Sequence, residues 1–235
     1  MTCSLPEAAS ALGIPVGLLP SVPVTGWSVD SRSVAPGDLF FALRGPNHDG
    51  HEFVSEVLGK GAAGAVVDRP VQAEGAILPV ADTLEALQAL AGWARRRWGG
   101  RVVAVTCSAG KTTTKEVIAR LLETAMPVGK SSGNLNNHVG LPLSILRLAP
   151  EARVAVLEIG MNHAGEIRRL AGIARPDVGV VTNVGHAHVE FFPSIDEVAL
   201  AKRELIEALP PEGTAVLNAD DERVARFREV HAGRT

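Results

Sequence analysis

Short, wholly apolar runs and longer mixed ones take turns along the second half of the chain. The apolar runs are VVAVT (102–106), VAVLEIG (154–160), VGVVTNV (178–184) and TAVLNAD (214–220). Each is short and apolar on both sides, so each reads as a strand covered on both faces. The stretches between them repeat apolar residues every three or four positions, as helices do. Val117, Ile118, Leu121 and Leu122 form one such face, and AGEIRRLAGIA (164–174), IDEVALAKRELIEAL (195–209) and ERVARFREV (222–230) supply the next three helices. Strand and helix in turn predict a parallel sheet with helices on both faces. Ligands bind such sheets beyond the C-terminal ends of the strands.

The first 98 residues follow a looser pattern. Ser4-Leu5-Pro6-Glu7 has capping-box spacing and predicts the start of a short helix. TGWSVDSRSVAPGDLFFALRG (25–45) reads as strand-like runs broken at Pro36-Gly37 and Gly45-Pro46. HEFVSEVLGKGAAGAVVDR (51–69) reads as a helix, a glycine stop and a buried strand at 65–67, and AILPVAD (76–82) as a further strand. DTLEALQALAGWARRRW (82–98) places Leu84, Leu87, Leu90, Ala91 and Ala94 on one helical face. Gly99-Gly100 is a candidate linker. The expected fold class is α/β: a small N-terminal α/β domain over 1–98, then a mostly parallel-sheet domain over 99–235. No internal repeat and no low-complexity segment interrupts this pattern.

Composition narrows the function classes. With 235 residues, 46% apolar and 21% charged, the chain is ordinary for a globular protein. The net charge of −3, with no basic stripe, argues against nucleic acid as the main partner. The two cysteines, Cys3 and Cys107, make neither a metal pattern nor a disulfide framework, as suits a reducing compartment. The N-terminus has no signal-peptide pattern and no apolar run has the length of a membrane span, so no membrane insertion is expected and a cytoplasmic location is the default.

The candidate chemistry centres on VAVTCSAGKTTTKE (103–116), where Gly110-Lys111-Thr112 joins a strand to a helix. In that setting backbone N–H groups at the helix start face an anion, Lys111 neutralises phosphate oxygens and the Thr112 hydroxyl serves Mg²⁺. The generic Gly-x-x-x-x-Gly-Lys-Thr pattern fails at Val105, and Cys107 stands where a second turn glycine is common, so an ordinary βα turn fits the loop as well. Glu158 ends an apolar strand: a Mg²⁺ ligand or a strand-end cap. His186 and His188 follow the strand 178–184, as ligands or as structural histidines. Lys202, taken alone, reads as a solvated lysine on a helix. Asn134, Asn136 and Asn137 lie between Gly133 and Gly140, either as turn formers or as a polar surface for phosphate or carboxylate groups.

Taken in order, these stretches resemble the Mur ligase family, the ATP-dependent amide-forming enzymes of peptidoglycan precursor synthesis. SAGKTTTKE is similar to the family's ATP loop. SSGNLNNHVGLPLSIL resembles a segment of the branch that joins D-alanyl-D-alanine to UDP-N-acetylmuramoyl-tripeptide. DSRSVAPGDLFFALRGPNHDGHEFV looks like the nucleotide-sugar-binding N-terminal domain that this branch shares with the tripeptide-forming ligase, and LEIGMNHAGEI, NVGHAHVEFFPSIDEVALAKREL and LNADD follow in family order. The resemblance implies that Ser108, Ala109, Gly110, Lys111, Thr112 and Thr113 bind ATP. It implies that Thr112 and Glu158 hold one Mg²⁺ and that His188 serves a second. Lys202 matches the lysine that becomes a carbamate, a carbamylated metal ligand. Lys111, Lys202, His188 and Asn137 would form the catalytic group. Asn134 and Asn137 would face substrate, and Ser31 and Arg32 would lie near the UDP part of the substrate. The expected partners are the two small-molecule substrates, and the expected state is a monomer.

Two departures from the family pattern matter. Position 107 is usually glycine in the family, so the loop keeps its shape only if Cys107 needs no positive φ. The sequence also stops soon after LNADD, so the family's remaining central-domain residues and third domain fall outside it. Little ligase activity is expected from these 235 residues alone, and a sheet edge with apolar surface is expected to be open. Three other functions stay open: the sister ligase that adds the third residue to the dipeptide precursor, a non-catalytic binding module, and an unrelated P-loop NTPase.

Overall fold

The computed structural model describes residues 2–17, 19–185 and 191–235. The chain divides into two compact units, Met1–Arg97 and Trp98–Thr235.

In the first unit, β1 (Cys3–Ser4) pairs antiparallel with β2 (Pro23–Val24). Helix α1 (Leu5–Ala11) starts with the expected capping box: the Glu7 N–H donates to Ser4 Oγ and the Ser4 N–H donates to Glu7 Oε2. Strands β3 (Gly26–Ser28), β4 (Asp38–Phe41), β5 (Gly64–Val67) and β6 (Ile77–Pro79) form a four-stranded parallel sheet in that order. A 3₁₀ turn at Gly50–Phe53 leads into α2 (Val54–Gly59). Phe40, Val54, Val57, Ala65 and Val67 close the core beneath α2. Helix α3 (Thr83–Trp98) buries Leu87, Leu90, Ala91 and Ala94, while Leu84 at its start is half-buried.

The second unit is built on five parallel strands. In chain order they are β7 (Arg101–Thr106), β8 (Val128–Lys130), β9 (Val154–Glu158), β10 (Val178–Val181) and β11 (Thr214–Leu217), and in space they run β11-β10-β7-β9-β8. The helices between them are α4 (Lys111–Glu123), α5 (Gly140–Leu146), α6 (Glu166–Ala174) and α7 (Ile195–Glu207), and α8 (Glu222–Ala225) follows β11. β7 lies between β9 and β10, where the winding reverses, and the loop after it sits at the position where such sheets take ligands.

Cross-strand register assigns the two faces. Val105, Val156 and Val180 pack with Ala119, Ile118 and Leu122 of α4. On the opposite face a Cβ on Gly179 would sit 3.2 Å from Ile206 and Leu209 and 3.4 Å from Leu205, so α7 lies directly on that glycine. Glu158 is paired with Val105 and therefore opens onto the α4 face. Thr106 is two residues beyond Ala104, the partner of Gly179, and therefore opens onto the α7 face.

The pattern of α4 needs a correction. Ile118 and Leu122 face the sheet, but Val117 and Leu121 are 53% and 67% exposed. The buried stripe runs through Lys115, Ile118, Ala119 and Leu122, the i, i+3, i+4, i+7 spacing of a helix face. A buried lysine occupies one place in that stripe, which shifts its apparent phase. The helix expected over 222–230 is also shorter: α8 ends at Ala225 and gives way to a 3₁₀ turn over Arg226–Val230. Beside it, β11 lies at a sheet edge with Val216 48% exposed.

Candidate active site

The loop after β7 turns at Gly110, whose φ of 86° and ψ of 12° lie in the left-handed region. Cys107 does not: among the described residues Arg175 alone has positive φ without being glycine. The loop therefore accepts a Cβ at 107 without backbone strain. The Cys107 thiol is buried and donates to the Ala109 carbonyl at 2.9 Å. Lys111 opens α4, and its ammonium donates to the Cys107 carbonyl at 2.8 Å. The Thr114 N–H reaches back to the Gly110 carbonyl at 2.9 Å. The N–H groups before it lead the helix, and together with its dipole they form an anion-binding position. Thr112 and Thr113 are exposed in this first turn.

The loop is gripped from β10. The Ala109 N–H donates to Asn183 Oδ1 at 3.0 Å and Asn183 Nδ2 donates to the Ala109 carbonyl at 2.9 Å, so one side-chain amide satisfies both main-chain polar groups of Ala109. The Ser108 N–H donates to the Asn183 carbonyl at 3.1 Å, and Ser108 Oγ accepts the Gly185 N–H at 2.8 Å. The LNADD segment braces the gripping strand end. Asn218 Nδ2 donates to the Thr182 carbonyl, and Asp221 Oδ2 accepts the Val184 N–H.

Glu158, at the tip of β9 and 1% exposed, joins the loop to the asparagine segment. Thr112 Oγ1 donates to its Oε2 at 2.9 Å and Asn136 Nδ2 donates to its Oε1 at 2.6 Å. Asn136 is pressed against Gly160: the Gly160 N–H donates to the Asn136 carbonyl at 2.8 Å, and a Cβ on Gly160 would stand 2.8 Å from Asn136 Oδ1. Only a glycine lets the amide lie there. Lys115 ties the base of the same segment to α4. It is fully buried, and its ammonium donates to the carbonyls of Ser131 (2.8 Å) and Gly133 (3.0 Å). Asn137 points elsewhere. Its Oδ1 accepts the N–H groups of Val139 and Gly140 and so caps the start of α5. Asn134 is exposed.

Lys202 lies on the buried side of α7, 1% exposed. Its ammonium has no hydrogen-bond or ion-pair partner among the described residues. Burial, reinforced by the nearby charge of Lys111, lowers its pKa from 10.5 to about 8, with Cys107 opposing the shift. Two residues on, Glu204 accepts the N–H groups of Gly165 and Arg168 and fixes α7 to the start of α6. His186 and His188 lie outside the described residues. Among those described, no three His, Cys, Asp or Glu side chains gather into a metal cluster. Ser31 and Arg32 belong to the first unit. Arg32 is exposed and holds Asp30 in a two-point ion pair that lowers the Asp30 carboxyl to about 2, and the Ser31 carbonyl accepts Lys60 Nζ.

Residues 105–235 match the family model of the Mur ligase middle domain. This chain belongs to the Mur ligase family. Residues 23–95 match a second model, described as the Mur ligase family catalytic domain. The chain is 45% identical over 195 residues to a UDP-N-acetylmuramoyl-tripeptide–D-alanyl-D-alanine ligase of Synechocystis sp., an alignment covering 82% of this chain and 43% of the relative. It is similar to a crystal structure of MurF from Acinetobacter baumannii, with a TM-score of 0.90, 36% identity, and coverage of 98% of this chain and 51% of that one. It is also similar to MurF ligase from Thermotoga maritima in complex with ADP, with a TM-score of 0.80, 37% identity, and coverage of 88% and 48%. The chain thus spans about half the length of the curated relatives it matches. Among the described residues of this Mur ligase chain no helix is long and apolar enough to cross a membrane.

Two residues that shape this Mur ligase site, Lys115 and Asn183, carry no distinctive sequence signal. Asn183 offers the most direct test. Replacing it by alanine removes two hydrogen bonds to the Ala109 peptide, each worth about 1 kcal/mol. Titration calorimetry of Asn183→Ala should show Mg²⁺–ADP affinity weakened by roughly 5- to 30-fold, with the melting temperature lowered by only about 2–8 °C. An unchanged affinity would show that the loop holds its shape without the amide.

Proposed function

We propose that this chain forms the nucleotide-binding and UDP-sugar-peptide-binding part of an ATP-dependent ligase that joins D-alanyl-D-alanine to UDP-N-acetylmuramoyl-tripeptide in the cytoplasm. One observation carries the reading: the Glu158 carboxylate, buried at a strand tip, takes the Thr112 hydroxyl and the Asn136 amide at the mouth of the Gly110-Lys111 turn. The relatives, ligases of UDP-N-acetylmuramoyl-tripeptide and D-alanyl-D-alanine, support the substrate class, and the ADP complex of the Thermotoga maritima enzyme supports the nucleotide.

The chemistry has two steps. A carboxylate is a poor electrophile, so the terminal carboxylate of the tripeptide first attacks the γ-phosphorus of ATP, giving an acyl phosphate and ADP. The amine of D-alanyl-D-alanine then attacks the acyl carbon. Phosphate departs with its bonding pair, and the amine loses a proton. The helix start at Lys111 and its ammonium stabilise the charge on the transferring oxygens, and positioning does most of the remaining work.

The Thr112 hydroxyl and Glu158 carboxylate are hard oxygen donors and fit Mg²⁺, which needs only one or two protein ligands beside phosphate oxygens. Bound there, Mg²⁺ neutralises phosphate charge. A second ion would draw on His188 and on Lys202 as a carbamate. Lys202 suits that modification because burial favours its neutral amine. The amine lone pair attacks the carbon of CO₂, one C=O pair moves onto oxygen, and the nitrogen releases a proton. The product is an anion.

Calorimetry on the chain tests the reading. Mg²⁺–ADP and UDP-N-acetylmuramoyl-tripeptide should both bind, the tripeptide precursor more tightly than the dipeptide precursor. Preference for the dipeptide precursor would favour the sister ligase, and ATP hydrolysis without any muramoyl peptide would favour an unrelated NTPase.

A further inference from the structure

Among the described residues Thr106 Oγ1 is a buried side-chain oxygen with no hydrogen-bond partner. Thr106 is fully buried at the end of β7, directly before the nucleotide loop. Protein interiors rarely leave a hydroxyl orphaned, and such a group commonly marks a position that receives a partner in another state.

The register shows what lies over it. Thr106 pairs with Val181, two residues beyond the Gly179–Ala104 pair, which is roughly 7 Å further towards the C-terminal end of the sheet. Leu205 and Ile206 of α7 sit on Gly179. β10 and β11 are parallel neighbours joined by α7, so α7 runs back against the strands. Three or four residues earlier on α7, and hence about 5–6 Å towards the same end, comes Lys202. It lies on the same helical face as Leu205 and Ile206. Thr106 and Lys202 therefore occupy one level of the space between sheet and helix.

We propose that Thr106 is a positioning residue for the Lys202 carbamate, its hydroxyl donating to a carbamate oxygen. This rests on the carbamate reading given above. An ammonium has only donors and leaves the hydroxyl proton without an acceptor, whereas a carbamate supplies one. The anion also gains a charge-assisted hydrogen bond in a dry site, where such a bond is stronger than in water.

The test uses the 235-residue chain with ¹³C-labelled bicarbonate and Mg²⁺, followed by ¹³C NMR. The parent should show a carbamate signal that disappears in Lys202→Arg. Thr106→Val should need about 10-fold more bicarbonate to reach half the signal, and Thr106→Ser should stay near the parent. In CO₂-free buffer Thr106→Val should melt no lower than the parent, because valine removes an unpaired hydroxyl at similar volume; this shows that the variant is folded. Equal half-saturation for Thr106→Val and the parent overturns the role of Thr106. No carbamate signal in the parent overturns the carbamate reading itself, and the Thr106 assignment with it.

Discussion

Glu158→Ala should abolish the Mg²⁺ dependence of nucleotide binding. In the parent, Mg²⁺ should tighten ADP or ATP binding, because the carboxylate and the Thr112 hydroxyl converge within hydrogen-bond distance at the helix start. Loss of groups that merely orient metal ligands costs about 10- to 100-fold, and loss of a carboxylate ligand should cost at least 100-fold. The alanine also leaves the Asn136 amide without its acceptor. Glu158→Gln separates charge from shape. It keeps an acceptor near Thr112 but loses the charge, so affinity in Mg²⁺ should fall to the metal-free level while the melting temperature changes little. Calorimetric titrations with Mg²⁺ and with EDTA give both numbers. A variant that still responds to Mg²⁺ like the parent would remove Glu158 from the metal site.

Lys202→Met should make the protein more stable at neutral pH. Among the described residues the buried Lys202 ammonium has no anionic partner, which makes it a burden on the folded state, and replacing buried charge by an apolar side chain of similar volume is often stabilising by about 1–4 kcal/mol. The sign follows from the pKa. The lysine titrates near 10.5 when unfolded and at about 8 when folded. Between those values the unfolded chain binds more protons, so the parent's stability rises with pH across that window. The charge cost is fully present below pH 8, amounts to about 3 kcal/mol from the pKa difference, and vanishes above pH 10.5. The advantage of Lys202→Met in CO₂-free buffer should therefore be largest below pH 8 and shrink towards pH 10.5. Urea titrations at pH 7 and pH 10 measure it. A less stable methionine variant at pH 7 would mean that Lys202 has a stabilising partner.

The parallel sheet and the loop at its strand tips were legible because buried strands are short apolar runs and the helices between them are periodic. The segments that escaped lack those signals. α5 is buried at every position from Gly140 to Leu146, so it has no polar face to give a period. β8 is three residues long and contains Gly129. Side-chain direction was harder still. Three asparagines in four residues look alike in sequence, yet Asn136 turns to the carboxylate, Asn137 caps a helix and Asn134 is exposed. The choice is made by Gly160, a residue distant in sequence whose missing Cβ leaves room for one amide. Lys202, taken alone, looked like a surface lysine because charge ordinarily marks solvent, yet it is buried, and so is Lys115.

Gly110 carries a last consequence. A Cβ built there meets nothing within 4 Å, yet the backbone stands at φ 86°. The turn has room for a side chain but the wrong handedness for an L-residue. D-alanine, the mirror-image amino acid, would be at ease in that backbone region and would also narrow the freedom of the unfolded chain. What the loop demands at this point is chirality rather than smallness, and among the genetically encoded residues only the achiral one can meet it without strain.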